Sequence, residues 1–266
     1  MKRTIIFTVV MLIAVFTLNA FAGVKLLEER EKSCNKIIVG TSGDYAPYTY
    51  MDRDGELTGF DIEVWKEISK RLDKEVEFIN VDFRNLFPML DKGEIDTIAN
   101  QITLNGKRIG KYYFADTYVY GGSQLIVRDD NTSIKGLKDL IGKKVGLIQG
   151  SSFEDTLREY DFNNEIEIRV YDNNRDYFKD IASGKLDAIL EDSLVAIKAI
   201  NDLKLNLKLV GEPVEVIENS FPFVQNVENE DILREVNNAI ATMKRDGTLK
   251  ELSQKCFSID ITSKKN

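Results

Sequence analysis

The chain lacks histidine and has little cysteine, proline or tryptophan: of its 266 residues, 2 are Cys, 4 are Pro and 1 is Trp. Without histidine it cannot form a Ser-His-Asp or Cys-His catalytic centre or the usual zinc-ligand sets. Two cysteines are too few for a metal knuckle. Scarce proline without low-complexity tracts argues against a flexible array of modules. These absences exclude most histidine-dependent enzyme classes and favour a globular protein.

Basic charge is also in short supply. The 36 Lys and Arg residues stand against 44 Asp and Glu residues, which gives a formal net charge of -8. An acidic surface repels phosphate backbones and anionic lipid, and no basic run with interleaved aromatic residues reverses the sign locally. We therefore expect no nucleic-acid partner and interpret the charge as the solvated surface of a soluble protein.

The first residues have the order of a secretory signal peptide. A basic start at 1–3 is followed by an apolar run at 5–16 and small residues at 19–23, which predicts cleavage after Ala22. A membrane anchor is the alternative, but the run is shorter than the roughly 20 residues that span a bilayer. Cys34 lies too far downstream to be lipidated at the cleavage point. The sequence thus predicts a protein secreted to the periplasm or the extracellular space.

Beyond a charged leader at 23–36, strand and helix patterns alternate along the chain. Apolar residues recur at helical spacing within 60–72, whereas 76–81 alternates as a strand does. The same succession returns after Leu140. Such a pattern predicts an α/β protein whose helices cover parallel sheets, here in two lobes.

Two extended segments predict the connections between the lobes. Residues 118–127 are expected to cross into the second lobe, and 220–224 to return. A helix at 232–243 and a last helix opened by a capping box at Thr248 and Glu251 are expected to pack on the first lobe. The predicted organisation is a signal peptide at 1–22, a leader at 23–36, a first lobe at 37–122 and 219–262, a second lobe at 123–218 and a tail at 263–266.

Four short segments give the chain a resemblance to a known family. They are GTSGDYAPY at 40–48, LTGFDI at 57–62, NQIT at 100–103 followed by Arg108 and Phe114, and GSS at 150–152. In this order and spacing they resemble the solute-binding proteins of amino-acid ABC importers, the family 3 bacterial solute-binding proteins. The resemblance covers residues 37–257.

This resemblance implies a fold and a function. The expected fold is two Rossmann-like α/β lobes joined by two hinge crossings, the type II periplasmic-binding-protein architecture. The expected function is capture of a free amino acid in the cleft between the lobes and its delivery to the membrane permease of an ABC importer. The resemblance further implies a monomer without a cofactor.

Arg108 is the candidate for binding the carboxylate of the ligand. Its planar guanidinium can donate two parallel charge-assisted hydrogen bonds, a geometry that neither Lys107 nor Lys111 offers. The resemblance gives Arg108 this role and adds polar groups of Gln101 and Thr103 just upstream. From composition alone, Arg108 could equally be a solvated residue of a basic helix start.

Residues 150–152 join a predicted strand to a predicted helix, where free N–H groups attract an anion. The resemblance implies that Ser151 and Ser152 also contact the ligand, although either could instead cap the helix. It assigns the ammonium of the ligand to Asp192, which follows a strand of the second lobe. Glu191 is the competing acid, and a strand-end acid is also a common helix N-cap.

Two aromatic residues are expected to form the walls of the binding site. Tyr45 and Phe83 match the family positions that flank the ligand, whereas Tyr48 and Tyr50 are expected to be packing residues. Relatives that take basic amino acids often have an acid where this chain has Ser42. The resemblance therefore favours a polar neutral or sulfur-containing amino acid as the ligand.

Two other functions stay open at this point. The chain also resembles the secreted cyclohexadienyl dehydratases, enzymes of this scaffold in which a cleft acid protonates a leaving hydroxyl, and Glu191 could be that acid if burial raised its pKa. The sensor portion of a receptor would need a transmembrane helix and a signalling domain, which this sequence does not show. Cys34 and Cys256 could form a disulfide or remain as two thiols.

Overall fold

The structure is a computed structural model that describes residues 35–264. The predicted signal peptide, most of the leader and Cys34 lie outside the described residues. In the described range the strands are β1 (Lys36–Thr41), β2 (Asp44–Tyr45), β3 (Thr49–Met51), β4 (Leu57–Thr58), β5 (Glu75–Asn80), β6 (Thr97–Ile98), β7 (Ile102–Thr103), β8 (Tyr112–Phe114), β9 (Val119–Arg128), β10 (Lys144–Ile148), β11 (Glu167–Tyr171), β12 (Ala188–Asp192), β13 (Leu207–Ser220) and β14 (Pro222–Val224).

The helices are α1 (Phe60–Leu72), α2 (Phe83–Asp91), α3 (Gly106–Ile109), α4 (Ser152–Tyr160), α5 (Asn174–Ala182), α6 (Ser193–Leu203), α7 (Val227–Asp246) and α8 (Thr248–Phe257), with a short 3-10 helix at Leu137–Leu140. None of the helices within residues 35–264 has the length and apolar character to span a lipid bilayer. We keep the predicted boundaries as names: lobe 1 is 37–122 with 219–262, and lobe 2 is 123–218.

Lobe 1 forms around a parallel sheet in the order β5-β1-β6. The apolar face of α1 is buried, with Val64 and Trp65 fully shielded from solvent, and α7 and α8 pack on α1. Gly59 precedes α1 with φ 125°, and a Cβ added there would lie 2.3 Å from the carbonyl oxygen of Tyr48. Only glycine fits at such a close approach of two backbones.

Lobe 2 contains the parallel strands β11, β10 and β12 in that order, and β12 pairs antiparallel with β9. Strand β10 is followed by α4, and β12 by α6. Because the carboxyl ends of parallel strands share one edge of a sheet, both helix starts lie at the same edge. This arrangement places residues 150–152 and the end of β12 on one wall.

The crossings between the lobes are the long antiparallel strands β9 and β13. They pair along most of their length, with a register shift between Val210 and Glu215. Strand β13 then pairs with β7 of lobe 1, where Asn219 lies opposite Thr103. The predicted fold, two α/β lobes joined by two crossings, is confirmed.

Two local predictions are wrong. The return crossing is β13 rather than 220–224, because exposed residues in the middle of β13 hide its strand alternation. The capping box is absent from α8: its N-cap is Gly247 at φ 88°, with no side-chain cap. The hydroxyl of Thr248 instead donates to Asp246 at 2.7 Å and accepts from Arg71 at 3.0 Å.

The predicted C-terminal helix at 232–243 is longer in the structure, as α7. Asn226 caps its start by accepting a hydrogen bond from the amide of Asn229 at 2.8 Å. Cys256 lies half-buried in α8 against the lobe 1 core, and burial raises the pKa of its thiol. The two alternatives for Cys34 and Cys256, a disulfide or two thiols, both remain, because Cys34 lies outside the described residues.

Candidate functional site

A cleft lies between the lobes and opens partly to solvent. Lobe 1 lines it from β2, the start of α2 and the segment that leads into α3, and lobe 2 from the starts of α4 and α6. The residues that the sequence analysis proposed as ligand contacts all line this cleft: Tyr45, Phe83, Gln101, Thr103, Arg108, Ser151, Ser152 and Asp192.

Arg108 is buried in the cleft wall of lobe 1, with 8% of its surface exposed. Asn105 caps the short helix α3 by accepting a hydrogen bond from the Arg108 amide at 2.9 Å. The guanidinium donates to the carbonyl oxygens of Thr103 at 3.2 Å and Gly150 at 3.0 Å. It also lies 5.0 Å from the centre of the Phe87 ring, a cation–π contact.

The guanidinium of Arg108 forms no ion pair within residues 35–264. Burial lowers the pKa of Arg108 to about 10. A buried cation whose hydrogen-bond partners are neutral carbonyl oxygens keeps part of its charge uncompensated. This setting favours the binding of an anion from the cleft.

The start of α4 lines the opposite wall. Ser151 is the N-cap, and its hydroxyl accepts from the amide of Glu154 at 3.2 Å. The hydroxyl of Ser152 donates to Oγ1 of Thr103 at 3.1 Å, across the lobes. Gly150 turns the chain from β10 into α4 with φ 75°, a conformation that glycine adopts without strain. The positive end of the helix dipole therefore lies at the cleft.

Asp192 and Glu191 end β12 and are both buried. Asp192 caps α6, because its Oδ1 accepts from the amides of Leu194 at 2.8 Å and Val195 at 3.1 Å. Asp192 is thus both the helix N-cap and a residue of the cleft wall. Burial raises the pKa of Asp192 to about 6 and that of Glu191 to about 7. This wall can attract a cationic group when the acids are ionised.

The aromatic walls come from lobe 1. Tyr45 stacks on Tyr48 with ring centres 5.9 Å apart, and Tyr48 is fully buried in the core, which is the packing role expected for it. Phe83 begins α2 and stays partly exposed while it packs against the core. The two residues therefore offer apolar ring surface to whatever occupies the cleft.

The lining is rich in acids. Among the lining residues within 35–264, Arg108 is the basic one, whereas the acidic ones are Asp44, Asp172, Glu191 and Asp192. No group of three or more histidine, cysteine or carboxylate side chains in that range is placed to hold a metal ion. The charges that line the cleft can therefore attract a cationic group as well as an anionic one.

The lobes contact each other around the cleft. We call this relative position of the lobes the closed arrangement. Besides the contacts of Arg108 and Ser152 already described, the side-chain interactions that cross between the lobes around the cleft include Tyr45 Oη to Glu191 at 2.7 Å, Asn105 to Asp155 at 3.2 Å, Lys107 to Asp155 at 2.6 Å and Arg84 to Asp172 at 2.7 Å. The two ion pairs are exposed at the rim, where such pairs contribute little. The Tyr45–Glu191 contact is inside.

The sequence model of the bacterial extracellular solute-binding proteins, family 3, matches residues 37–259. The chain belongs to this family. PatH of Vibrio harveyi, assigned as an amino-acid ABC transporter-binding protein, is 43% identical over 243 residues, which are 91% of this chain and 97% of that protein. The L-cystine-binding protein TcyJ of Escherichia coli K12 is 35% identical over 254 residues, which are 95% of this chain and 94% of that protein.

Solved structures agree with the family. An ancestral arginine-binding protein bound to arginine superposes with a TM-score of 0.80 at 32% identity and covers 84% of this chain and 98% of its own. All three similar proteins are named for amino-acid binding, and PatH is also named for an ABC transporter, which supports amino-acid binding for ABC import by this solute-binding protein. Its family description places it outside the cytoplasm.

One group of residues in this solute-binding protein was missed in the sequence analysis. Asp61, fully buried in α1, accepts hydrogen bonds from the amide of Gln101 at 3.0 Å, from its side chain at 2.6 Å and from the hydroxyl of Tyr118 at 2.8 Å. The side-chain oxygen of Gln101 accepts from Asn219 at 2.8 Å. The side chain of Gln101 therefore bonds to buried residues and holds in place the cleft segment, by which we mean residues 100–103.

The signal for Asp61 was present in the LTGFDI segment, but only as part of the family resemblance. An acid in the first turn of a helix is ordinarily explained by the helix dipole. Asp61 differs from such an acid because it is buried. Burial raises its pKa to about 7, although three hydrogen-bond donors favour the ionised form.

Proposed function

We propose that this solute-binding protein binds a free amino acid as a zwitterion in the cleft. The carboxylate is bound by Arg108 and the start of α4, and the ammonium by Asp192. The observation that carries the proposal is a buried guanidinium without a carboxylate partner that lines the same cleft as a buried, helix-capping carboxylate. Burying an unpaired charge is costly, so a ligand with both charges compensates both residues.

The role of each wall follows from its lobe. Arg108 and the aromatic residues belong to lobe 1, whereas Ser151, Ser152 and Asp192 belong to lobe 2. A zwitterion bound to both sets bridges the lobes and favours their closure, the hinge motion by which periplasmic binding proteins close around their ligands. The closed protein is then the form that a membrane permease would receive from solution.

The proposed ligand class is a polar neutral or sulfur-containing amino acid. The hydroxyl oxygen of Ser42 is buried in the cleft lining and has no hydrogen-bond partner among the described residues. It offers a neutral polar contact to a ligand side chain, and Tyr45 and Phe83 offer ring surface that suits sulfur. The relative TcyJ, named as an L-cystine-binding protein, supports this class.

Titration calorimetry tests the proposal. The mature protein is titrated with each of the twenty protein amino acids and with L-cystine, and at least one member of the proposed class should bind. Mass spectrometry of the ligand released from natively purified, denatured protein identifies the natural ligand independently. Absence of binding across the whole panel would contradict the proposed function.

An enzymatic function on the same scaffold has one observation in its favour, the raised pKa of Glu191 in the cleft wall. Both oxygens of this carboxylate, however, already accept hydrogen bonds from tyrosine hydroxyls. We therefore propose that the protein is not a dehydratase. Incubation with prephenate and arogenate is expected to give no product, and product formation that Glu191→Gln abolishes would reverse this assignment.

The pH dependence of binding is expected to follow Asp192. Burial raises its pKa to about 6, and a bound ammonium would lower that pKa again because it favours the ionised form. A group whose pKa falls on binding supports affinity above the ligand-free pKa and loses that support as the pH falls. Calorimetry should show the Kd rising by about tenfold per pH unit below about 6.

Two variants separate Asp192 from its neighbour in this experiment. Glu191→Gln removes the other buried acid of the wall and should keep the weakening at low pH. Asp192→Asn should bind weakly at every pH and lose that dependence. A Kd that stays constant between pH 5 and 8 in the wild type would contradict the ammonium role of Asp192.

A further inference from the structure

Glu191 is a buried acid with three hydrogen-bond donors and no assigned role in ligand binding. Only 1% of its surface is exposed. Its Oε1 accepts from the hydroxyl of Tyr45 at 2.7 Å and from the amide of Asp192 at 2.7 Å, and its Oε2 accepts from the hydroxyl of Tyr177. In the described part of the chain, no lysine or arginine forms an ion pair with it.

These three donors differ in where they come from. Tyr177 lies in α5 and the Asp192 amide in β12, both of lobe 2, as is Glu191 itself. Tyr45 lies in β2 of lobe 1. The hydrogen bonds from Tyr177 and from the amide can persist whatever the lobes do, whereas the one from Tyr45 exists only while the lobes are together.

The hydrogen bond from Tyr45 joins the two lobes at the binding cleft itself. Both Tyr45 and Glu191 line the cleft, and the ring of Tyr45 is the proposed wall, stacked on Tyr48. Hydrogen bonds to a charged group that is withdrawn from water are stronger than those between neutral groups. Opening would remove one of the donors that compensate a buried carboxylate, which makes opening less favourable.

We propose that Glu191 is a positioning residue for ligand retention: through its hydrogen bond to Tyr45 it holds the aromatic wall and keeps the lobes closed over the bound amino acid. This inference rests on the proposed function and adds a residue that contacts the wall rather than the charges of the ligand. In this inference Glu191 slows the dissociation of the ligand. Arg108 and Asp192 keep their role in recognition.

The chain offers a matched pair of variants for the test. Tyr45→Phe and Tyr177→Phe each remove one hydroxyl from the same carboxylate and keep the ring, but only the first removes a contact between the lobes. The probe is the amino acid that binds the wild type most tightly among the twenty protein amino acids and L-cystine. Its isotopically labelled form is bound, an excess of unlabelled compound is added, and the dissociation rate is measured.

Tyr45→Phe should raise the dissociation rate by about tenfold to a hundredfold, the range expected for a hydrogen bond to a charged group. Tyr177→Phe should change it by less than about threefold, a smaller effect because its bond lies within one lobe. Glu191→Gln should also raise it, and the double variant with Tyr45→Phe should show less than the product of the two effects, since the residues act through one contact.

Thermal unfolding of every variant separates retention from folding. Tyr45→Phe is expected to melt close to the wild type, so that its effect is specific to dissociation, and if Glu191→Gln does not fold, the two phenylalanine variants decide alone. Equal dissociation rates for Tyr45→Phe and the wild type, or equal effects of both phenylalanine variants, overturn this inference and leave the proposed function standing. A wild type that binds no member of the panel overturns both.

Discussion

Replacing Arg108 by alanine is expected to weaken the binding of every amino acid that the wild type accepts by about a hundredfold or more. Breaking a buried charge pair costs about 3–5 kcal/mol, because the carboxylate of the ligand would be buried without its partner. The fold should survive, since removing a guanidinium that has no counter-ion within the described residues also removes its own desolvation cost. Calorimetry gives the affinity, and thermal unfolding checks the fold.

Two companion variants make the result specific. Arg108→Lys keeps the charge but loses the planar fork, so it should recover only part of the affinity. Lys111→Ala is the matched control, because Lys111 is an exposed cation that pairs with Asp91 at 2.7 Å within lobe 1. Its affinity should equal that of the wild type. If Arg108→Ala binds within about threefold of the wild type, Arg108 does not bind the carboxylate.

The fold could be predicted because local patterns determine it. Apolar spacing in 60–72 and the strand pattern in 76–81 each depend on a few neighbouring residues, and both became the predicted elements, α1 and β5. The crossing β13 was placed too late, because its exposed middle has no alternation to detect. Hydrophobic periodicity arises where one face of an element is buried, and a strand that is solvated along its middle shows little periodicity.

The candidate site was proposed through the family resemblance, which singled out residues of suitable chemistry whose local sequence alone left other roles open. Arg108 has the planar guanidinium that suits a carboxylate, and a serine between a strand and a helix is suited to a helix start. Glu191 and Asp61 have no such signal, since their roles come from partners far along the chain. Tyr45 lies 146 positions from Glu191, and Tyr118 lies 57 positions from Asp61.

The Asp61 network also depends on a backbone conformation that sequence does not reveal. Gln101 has φ 51°, a left-handed value in a residue other than glycine. Such a conformation is costly and persists when surrounding contacts fix it. Asp61 provides those contacts, because it accepts from both the amide and the side chain of Gln101. The shape of the cleft segment therefore depends on a residue in the core of lobe 1.

Replacing Asp61 by alanine should accordingly lower both stability and affinity. Three buried donors would lose their acceptor, and each such loss costs about 1–3 kcal/mol, so we expect a total of about 3 kcal/mol or more. For a chain of this size that lowers the Tm by roughly 6–12 °C, measured by calorimetric unfolding. Affinity should fall as well, because Gln101 would no longer hold the segment that leads to Arg108.

Asp61→Asn and Glu63→Ala define what the Asp61→Ala result means. The asparagine keeps one acceptor oxygen but turns an amide donor toward the donors of Gln101 or Tyr118, so it should fall between the wild type and alanine. Glu63 lies in the same helical turn and pairs with Lys66 at the surface, at 2.8 Å, and its loss should cost less than about 1 kcal/mol. An Asp61→Ala protein that melts within about 2 °C of the wild type would show that solvent or a shift of the segment replaces the acceptor, and the positioning role of Asp61 would be wrong.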